Sequence, residues 1–275
     1  MRVLNRSQEG VRHIVFTDLD GTLLDHNTYS WEAARPALDQ LRRQKIPWMF
    51  VTSKTRAEVE RLRTQLANTH PFVVENGGAA FVPQGYFPFP IHGATGRDGY
   101  NVCEWGTPYA TLTAALDQAA QASGCRIDAF HRMSVEQTAA ACDLPVDEAA
   151  LAKEREYDEP FVVLDPQRQE ALLAAIAARG FHTVRGGRFH HVCGNNDKAV
   201  AVRALRDLFQ HAYGPVTTIG LGDGWNDLPF LEVVDTPVII QSPSAAEMKA
   251  RLPRARVTAQ SGPAGWGQAI LDLRS

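Results

Sequence analysis

Short apolar runs rich in β-branched residues, each ending in a polar or acidic turn and followed by a helical period, recur at both ends of this chain. His13 to Thr17 reads as a buried strand, and Asp18-Leu19-Asp20-Gly21-Thr22 closes it with an acidic turn. From Trp31 to Lys45, the positions Ala34, Leu38 and Leu41 share one helical face. Pro47 to Thr52 is a second strand, Arg56 to Leu66 a charged amphipathic helix, and Phe72 to Glu75 a third strand running into Asn76-Gly77-Gly78. The pattern returns late in the chain. Lys198 to Gln210 reads as a helix, Val216 to Leu221 as a strand ending at Gly222-Asp223, and Leu228 to Val233 as a short helix. Pro237 to Ile240 and Ala245 to Arg251 follow as strand and helix. One-for-one alternation predicts an α/β fold, a Rossmann-like parallel sheet covered on both faces.

The stretch between these halves is different. Pro83 to Gly106 is rich in Gly, Pro and aromatic residues and shows no period. Helical stretches follow at Thr111–Ser123, Ser134–Ala140 and Asp147–Glu156, then a strand at Phe161–Leu164 and a helix at Arg168–Arg179. A hairpin is expected from His182–Val184 and Phe189–Val192 around Gly186-Gly187. Strands and helices do not alternate here, so residues 84–188 read as an α+β cap inserted into a discontinuous core of residues 1–83 and 189–275. Such a cap would cover the carboxyl ends of the core strands, where open α/β sheets bind their ligands.

Composition narrows the class of partner. With 44% hydrophobic and 21% charged residues and a formal net charge of -3, the chain has no global basic field to hold nucleic acid or an anionic membrane. The opening MRVLNRSQEGVRH lacks the apolar core of a signal peptide, and no run reaches the ~18 apolar residues of a membrane span. The cysteines Cys103, Cys125, Cys142 and Cys193 have no zinc spacing, as expected for reduced thiols in a cytoplasmic protein. The expected partner is therefore a small anionic molecule bound by local positive charge.

The acidic turns supply the chemistry. A turn at Gly21 would bring Asp18 and Asp20 to one rim, where one carboxylate can attack phosphorus and the other can protonate the leaving oxygen. A solvated turn with two surface acids is the alternative, and the whole string Val15 to Leu24 argues against it. Asp223 ends another strand in Gly222-Asp223-Gly224-Trp225-Asn226-Asp227, and Mg2+ favours one or two carboxylates plus phosphate and water. Asp227 caps the next helix, or holds a metal-bound water, or orients a lysine. Ser53 stands at the head of a helix, where a hydroxyl and free N–H groups suit a phosphate oxygen. Lys198, after Asn195-Asn196-Asp197, could neutralise a phosphoryl group and keep Asp18 ionised.

The order of acidic pair, Ser/Thr, Lys and second acidic pair resembles the haloacid dehalogenase superfamily. The resemblance implies Asp18 as nucleophile, Asp20 as general acid/base, and Ser53 and Lys198 as phosphate ligands. It implies Mg2+ on the side chains of Asp18 and Asp223 and the backbone carbonyl of Asp20. Within that superfamily the chain is similar to the mannosyl-3-phosphoglycerate phosphatases. The similarity runs through Thr52–Glu58, Glu75–Ala79, Arg155–Phe161, Gly186–His191, Asn196–Lys198, Gly220–Asp223 and Gly262–Trp266. Gly224 and Trp225 depart from that pattern, which has a small residue and proline there, and Ala199 replaces a common glycine.

The implied reaction is Mg2+-dependent removal of phosphate from mannosyl-3-phosphoglycerate. Its glycerate carboxylate needs a cation, for which Arg188, Arg185 and Lys54 are candidates. Sugar hydroxyls need polar partners, which Glu75, Asn76 and the Glu156–Glu159 group would provide, although such a charge run also suits a solvated helix end. Thr55 and Asp227 complete the candidate substrate-binding residues. Glucosyl-3-phosphoglycerate or another sugar phosphate is the nearest alternative substrate, and a non-catalytic binder of phosphorylated sugars the alternative from another class. Oligomeric state is not legible.

Overall fold

In strand β1 (His13–Thr17) alternate residues face opposite sides of the central sheet. Ile14 and Phe16 join an apolar cluster with Val202, Leu205 and Phe209, while Val15 joins a second with Leu38, Leu41 and Trp266. Both faces of the strand are therefore covered, as parallel sheets require. The computed structural model describes residues 13–186 and 189–273. Arg188, one of the candidate cations, lies outside the described residues.

The first half of the core runs from β1 through helix α1 (Arg35–Gln44), strand β2 (Trp48–Phe50), helix α2 (Arg56–Gln65) and strand β3 (Phe72–Val74). Pro36 starts α1, where a missing N–H costs nothing, and Lys45 ends it with φ 55°. Thr55 caps α2 in a reciprocal box with Glu58. Beyond β3 the chain makes an antiparallel meander of β4 (Ala79–Pro83), β5 (Thr95–Arg97) and β6 (Tyr100–Glu104). This meander was not legible as strand, because β5 is exposed and has no apolar alternation.

The chain then enters the cap through α3 (Tyr109–Ser123), β7 (Ile127–Ala129), α4 (Val135–Cys142), α5 (Val146–Ala152), β8 (Asp158–Val163), α6 (Gln169–Ala177), β9 (His182–Gly186) and β10 (Phe189–Cys193). Its sheet is antiparallel in the order β7-β8-β10-β9. Leu112, Leu116, Phe161, Leu172, Ile176 and Val192 form its own apolar cluster. The expected helix to Glu156 stops at Ala152, and β8 begins at Asp158 rather than Phe161. The charge run Arg155–Glu159 is thus a buried connection, not a helix end in water; Asp158 and Glu159 are 0% exposed.

The return half is α7 (Lys198–Tyr213), β11 (Thr217–Gly222), α8 (Leu228–Val233), β12 (Thr236–Ile239), α9 (Ala245–Arg251), β13 (Arg256–Val257) and α10 (Gly262–Leu271). The parallel central sheet has the order β13-β12-β11-β1-β2, and a single bridge between Val51 and Val73 continues it into β3 and the meander. Strand pairing moves both expected cap boundaries. β5 and β6 stay with the core meander, and β10 belongs to the cap sheet because it pairs with β8 and β9. The two crossings run side by side near Thr107 and Gly194, where a Cβ on residue 194 would lie 2.2 Å from Thr107 Oγ1.

His70, between α2 and β3, carries a pH dependence. Its Nδ1 lies 2.7 Å from the Tyr86 hydroxyl, and burial together with Arg63 lowers its pKa to about 4. An unfolded histidine binds a proton near pH 6.5 while this one does not, so its contribution is full above pH 6.5 and is lost as pH falls toward 4. Thermal unfolding followed from pH 7 to pH 5 should show a loss of about 2 kcal/mol from this group. The same titration of His70→Gln should lack that component; an identical slope would assign the acid sensitivity elsewhere.

Candidate active site

The register of β1 against β11 pairs Thr17 with Leu221, and the Asp18 N–H donates to the Leu221 carbonyl at 2.9 Å. The adjacent strands therefore end together, and Asp18 and Asp223 emerge side by side at their carboxyl ends. Leu19 turns into the core at 0% exposure. Asp18 and Asp20 both line a solvent-open cleft beneath the cap, together with Ser53, Lys54, Asp223 and Asn226. Gly21 makes this possible: it has φ 77°, and a Cβ there would lie 2.6 Å from Asp223 Oδ2.

Lys198, the first residue of α7, is 1% exposed and reaches into the centre of this cluster. Its Nζ donates to Asp18 Oδ1 at 2.7 Å and to Asp227 Oδ1 at 2.6 Å. Burial opposes the ammonium charge, but Asp18 and Asp227 outweigh it and raise its pKa. Asp227 Oδ2 accepts the backbone N–H groups of Asp223 and Gly224, each at 3.0 Å. Both of its oxygens are thus committed, and at 1% exposure it cannot meet a sugar hydroxyl as expected. It positions Lys198 and shapes the Asp223 turn.

The charges in this cluster do not balance. Ligand atoms of Asp18, Asp223 and Asp227 lie within 4.8 Å of one another, with Lys198 as their cation. Burial first, then Asp227, pushes Asp18 well above the usual carboxylate range. Burial and Asp227 likewise push Asp223 up to about 7. A divalent cation would remove the surplus negative charge and return both groups to the ionised form. The donors fit one. Asp18 Oδ1 is taken by Lys198 and Asp223 Oδ1 by the Thr22 hydroxyl at 2.8 Å, which leaves the other oxygen of each side chain for a hard metal ion. Ser242 Oγ holds the Asp223 carbonyl at 2.7 Å and fixes the turn from behind.

Asp20 sits 3.2 Å from Lys54 Nζ, which is also 3.2 Å from Glu58. Burial opposes the charge on Lys54, but these two carboxylates outweigh it and raise its pKa. Ser53 lines the cleft two residues ahead of the helix cap, and its carbonyl accepts from Arg155 Nη2 at 2.6 Å.

Other expected substrate contacts serve the junction between core and cap. Thr55 is 0% exposed; it caps α2, and its hydroxyl donates to the Leu151 carbonyl of the cap. Glu75 is also fully buried and accepts the backbone N–H groups of Glu156, Tyr157 and Asp158 at 2.7–3.1 Å. Burial pushes its carboxyl up to about 8 against the pull of Arg155. Asn76 donates to Asp158 Oδ2 at 2.9 Å and accepts from Asn226 at 3.2 Å. Arg185 is exposed on β9 and outside the cleft lining. None of the four reaches the cleft, since each is spent on the junction or directed to solvent. Conversely, Arg155, His191, Asn226 and Tyr29 line the cleft. Of these, Arg155 lay in the charge run before β8, His191 at the end of the family-like segment Gly186–His191 and Asn226 in the second acidic turn, while Tyr29 carried no sequence signal.

With this geometry in place, known proteins can be compared. The sequence profile of haloacid dehalogenase-like hydrolases matches residues 15–86. The chain is 42% identical over 265 residues to the glucosyl-3-phosphoglycerate/mannosyl-3-phosphoglycerate phosphatase of Methanococcoides burtonii, covering 96% of this chain and 97% of the relative. It is 38% identical over 259 residues to the protein of the same name from Persephonella marina, covering 94% and 95%. Among solved structures, a haloacid dehalogenase-like hydrolase from Bacteroides thetaiotaomicron is 15% identical with a TM-score of 0.66, covering 95% of this chain and 99% of that one, a likeness of fold. No described helix is long and apolar enough to cross a membrane.

Gly21→Ala should test the packing of the cluster. The added methyl cannot share space with Asp223 Oδ2, so divalent-cation affinity measured by calorimetry should fall roughly 10–100-fold. The far-UV spectrum should stay unchanged. Undiminished affinity would mean that Asp223 is not a ligand.

Proposed function

This chain belongs to the family of glucosyl- and mannosyl-3-phosphoglycerate phosphatases within the haloacid dehalogenase-like hydrolases, and we propose that it is a Mg2+-dependent phosphatase converting mannosyl-3-phosphoglycerate to mannosylglycerate and phosphate. The observation that carries the reading is the buried Lys198–Asp18 pair at the floor of a cap-covered cleft. A carboxylate held in place by an ammonium, with a second acid two residues on, is the equipment of covalent phosphoryl transfer.

In this mechanism one carboxylate oxygen of Asp18 attacks phosphorus as the bond to the glycerate oxygen breaks. Asp20 gives that oxygen its proton. Asp20, now a carboxylate beside Lys54, then takes a proton from water. The water oxygen attacks phosphorus, the bond to Asp18 breaks, and phosphate leaves. Lys198 stays protonated throughout and offsets charge on the phosphoryl oxygens, and Ser53 offers them a hydroxyl from the rim. Mg2+, held by Asp18 and Asp223 side chains and the Asp20 carbonyl, supplies the charge neutralisation that lets an anionic nucleophile meet an anionic ester. Closure of the cap over the bound ester would exclude bulk water from the cleft, and the cap offers the sugar its surface.

Glucosyl-3-phosphoglycerate is a second substrate on this reading, since both full-length relatives carry names that include it. One epimeric hydroxyl separates the two esters, and a single hydrogen bond is enough to rank them.

Asp18→Asn should abolish phosphate release while leaving the fold intact, and turnover near wild type would sink the mechanism. For substrate, kcat/KM should be compared under Mg2+ for mannosyl-3-phosphoglycerate, glucosyl-3-phosphoglycerate and mannose-6-phosphate. A preference of ~100-fold for the glycerate esters over the hexose phosphate, about 2.7 kcal/mol, is expected. Equal weak rates on all three would withdraw the substrate while keeping the chemistry.

A further inference from the structure

His191, on β10 of the cap, lines the cleft with a ring whose Nδ1 lies 3.2 Å from Asp158 Oδ2. Asp158 is 0% exposed and is held by Arg155 Nε at 2.6 Å through its other oxygen. Burial opposes its ionisation, but Arg155 and then His191 outweigh burial and lower its pKa. An ionised Asp158 only accepts, so His191 Nδ1 must carry the hydrogen between them. Arg155 already matches the charge of Asp158. One hydrogen on His191 Nδ1 therefore satisfies the pair, and Nε2 is left to a further partner.

Nε2 has no hydrogen-bond partner among the described residues, and it faces the cleft. A Cβ placed on Gly186 would lie 3.6 Å from His191 Nε2 and 3.6 Å from Asn226 Nδ2, so both atoms border one small space. The ring is also in register with the core. Asn226, beside the metal-binding turn, donates to Asn76 Oδ1; Asn76 donates to Asp158 Oδ2; and His191 donates to the same Asp158 oxygen. Of the other basic groups at this site, Lys54 is spent on Asp20 and Glu58, Lys198 on Asp18 and Asp227, and Arg155 on Asp158, Ser53 and Ala152, while His26 lines the cleft from the core turn that follows Leu24. The apolar cap residues Phe130, Leu144 and Phe189 line the same end of the cleft and suit the C–H faces of a pyranose.

We propose that His191 is a sugar-recognition residue, its Nε2 hydrogen-bonding a hydroxyl of the substrate's sugar, with Asp158 and Asn76 as the residues that position it. This rests on the proposed function, because it assigns the sugar to the cap end of the cleft and the phosphate to Asp18 and Lys198.

The test is kcat/KM for mannosyl-3-phosphoglycerate and glucosyl-3-phosphoglycerate, with 3-phosphoglycerate and p-nitrophenyl phosphate as sugarless references, in wild type, His191→Ala and His191→Gln. His191→Ala should lose ~10-fold or more on the sugar esters, mainly through KM, and stay within about 2-fold on the sugarless compounds. His191→Gln, which keeps a hydrogen-bonding group near the same place, should recover part of the loss and serves if the alanine variant misfolds. Equal losses on both classes would mark His191 as merely structural, and no loss on either would leave it without a role; both overturn the proposal. Wild type inactive on both sugar esters but active on p-nitrophenyl phosphate would instead remove the proposed function and this proposal with it.

Discussion

Lys198 carries an ammonium into the centre of the molecule and finds Asp18 on one side and Asp227 on the other. Removing one partner of such a pair leaves an uncompensated buried charge, at a cost of about 3–5 kcal/mol. The arrangement is thus held by necessity, and much else follows from it. The end of β1 must lie beside the end of β11, because Asp18 and Asp227 belong to the turns that follow those strands. Helix α7 must begin at Lys198, and Asp197 fixes that start by accepting the Val200 N–H at 2.9 Å. Helix α10 closes the assembly from the far side. Its Trp266 donates to Thr17 Oγ1 at 2.9 Å, directly behind the proposed nucleophile.

A second buried charge system joins the cap to this core. Glu75 gathers three successive backbone N–H groups from the chain entering β8. Arg155 bridges Asp158 of the cap to the carbonyl of Ser53. These contacts place the cap by directional bonds, where a packed apolar interface would allow sliding. They also connect the Ser53 loop, the Asp223–Asp227 turn and the cap histidine His191 into one network, so the core end and the cap end of the cleft keep a fixed spacing. Retaining charged groups in such a joint is costly in desolvation, and the return is a single defined geometry.

Much of the central sheet was legible because burial on both faces leaves a strong local signal. His13–Thr17 and Leu228–Val233 coincide with their expected limits. The position of Asp18, Asp20 and Asp223 was legible for a related reason: they follow buried strands whose ends are marked by glycine. The meander β4 to β6 and the strand β13 were not, since β5 is exposed and β13 has two residues. Such strands exist through the hydrogen bonds of their neighbours. The cap limits were misplaced for a related reason. Composition changes at Pro83, but sheet membership changes only near Thr107 and Gly194, and pairing partners distant in sequence decide it.

By itself the sequence determined the alternating α/β core and the kind of functional group that Asp18, Asp20, Ser53, Lys198 and Asp223 bring to it. Those are properties of residue type, order and local period. Tertiary structure decided which polar groups face the cleft. Thr55, Glu75, Asn76 and Asp227 carry functional groups suited to a sugar or a metal-bound water, yet each is buried by a partner from another part of the chain. His191 ends the family-like segment Gly186–His191 without a role of its own in the sequence, and it lines the cleft with its Nδ1 held against Asp158. A side chain's chemistry is local, whereas its availability depends on what else competes for its hydrogen bonds, and those competitors are assembled only by folding.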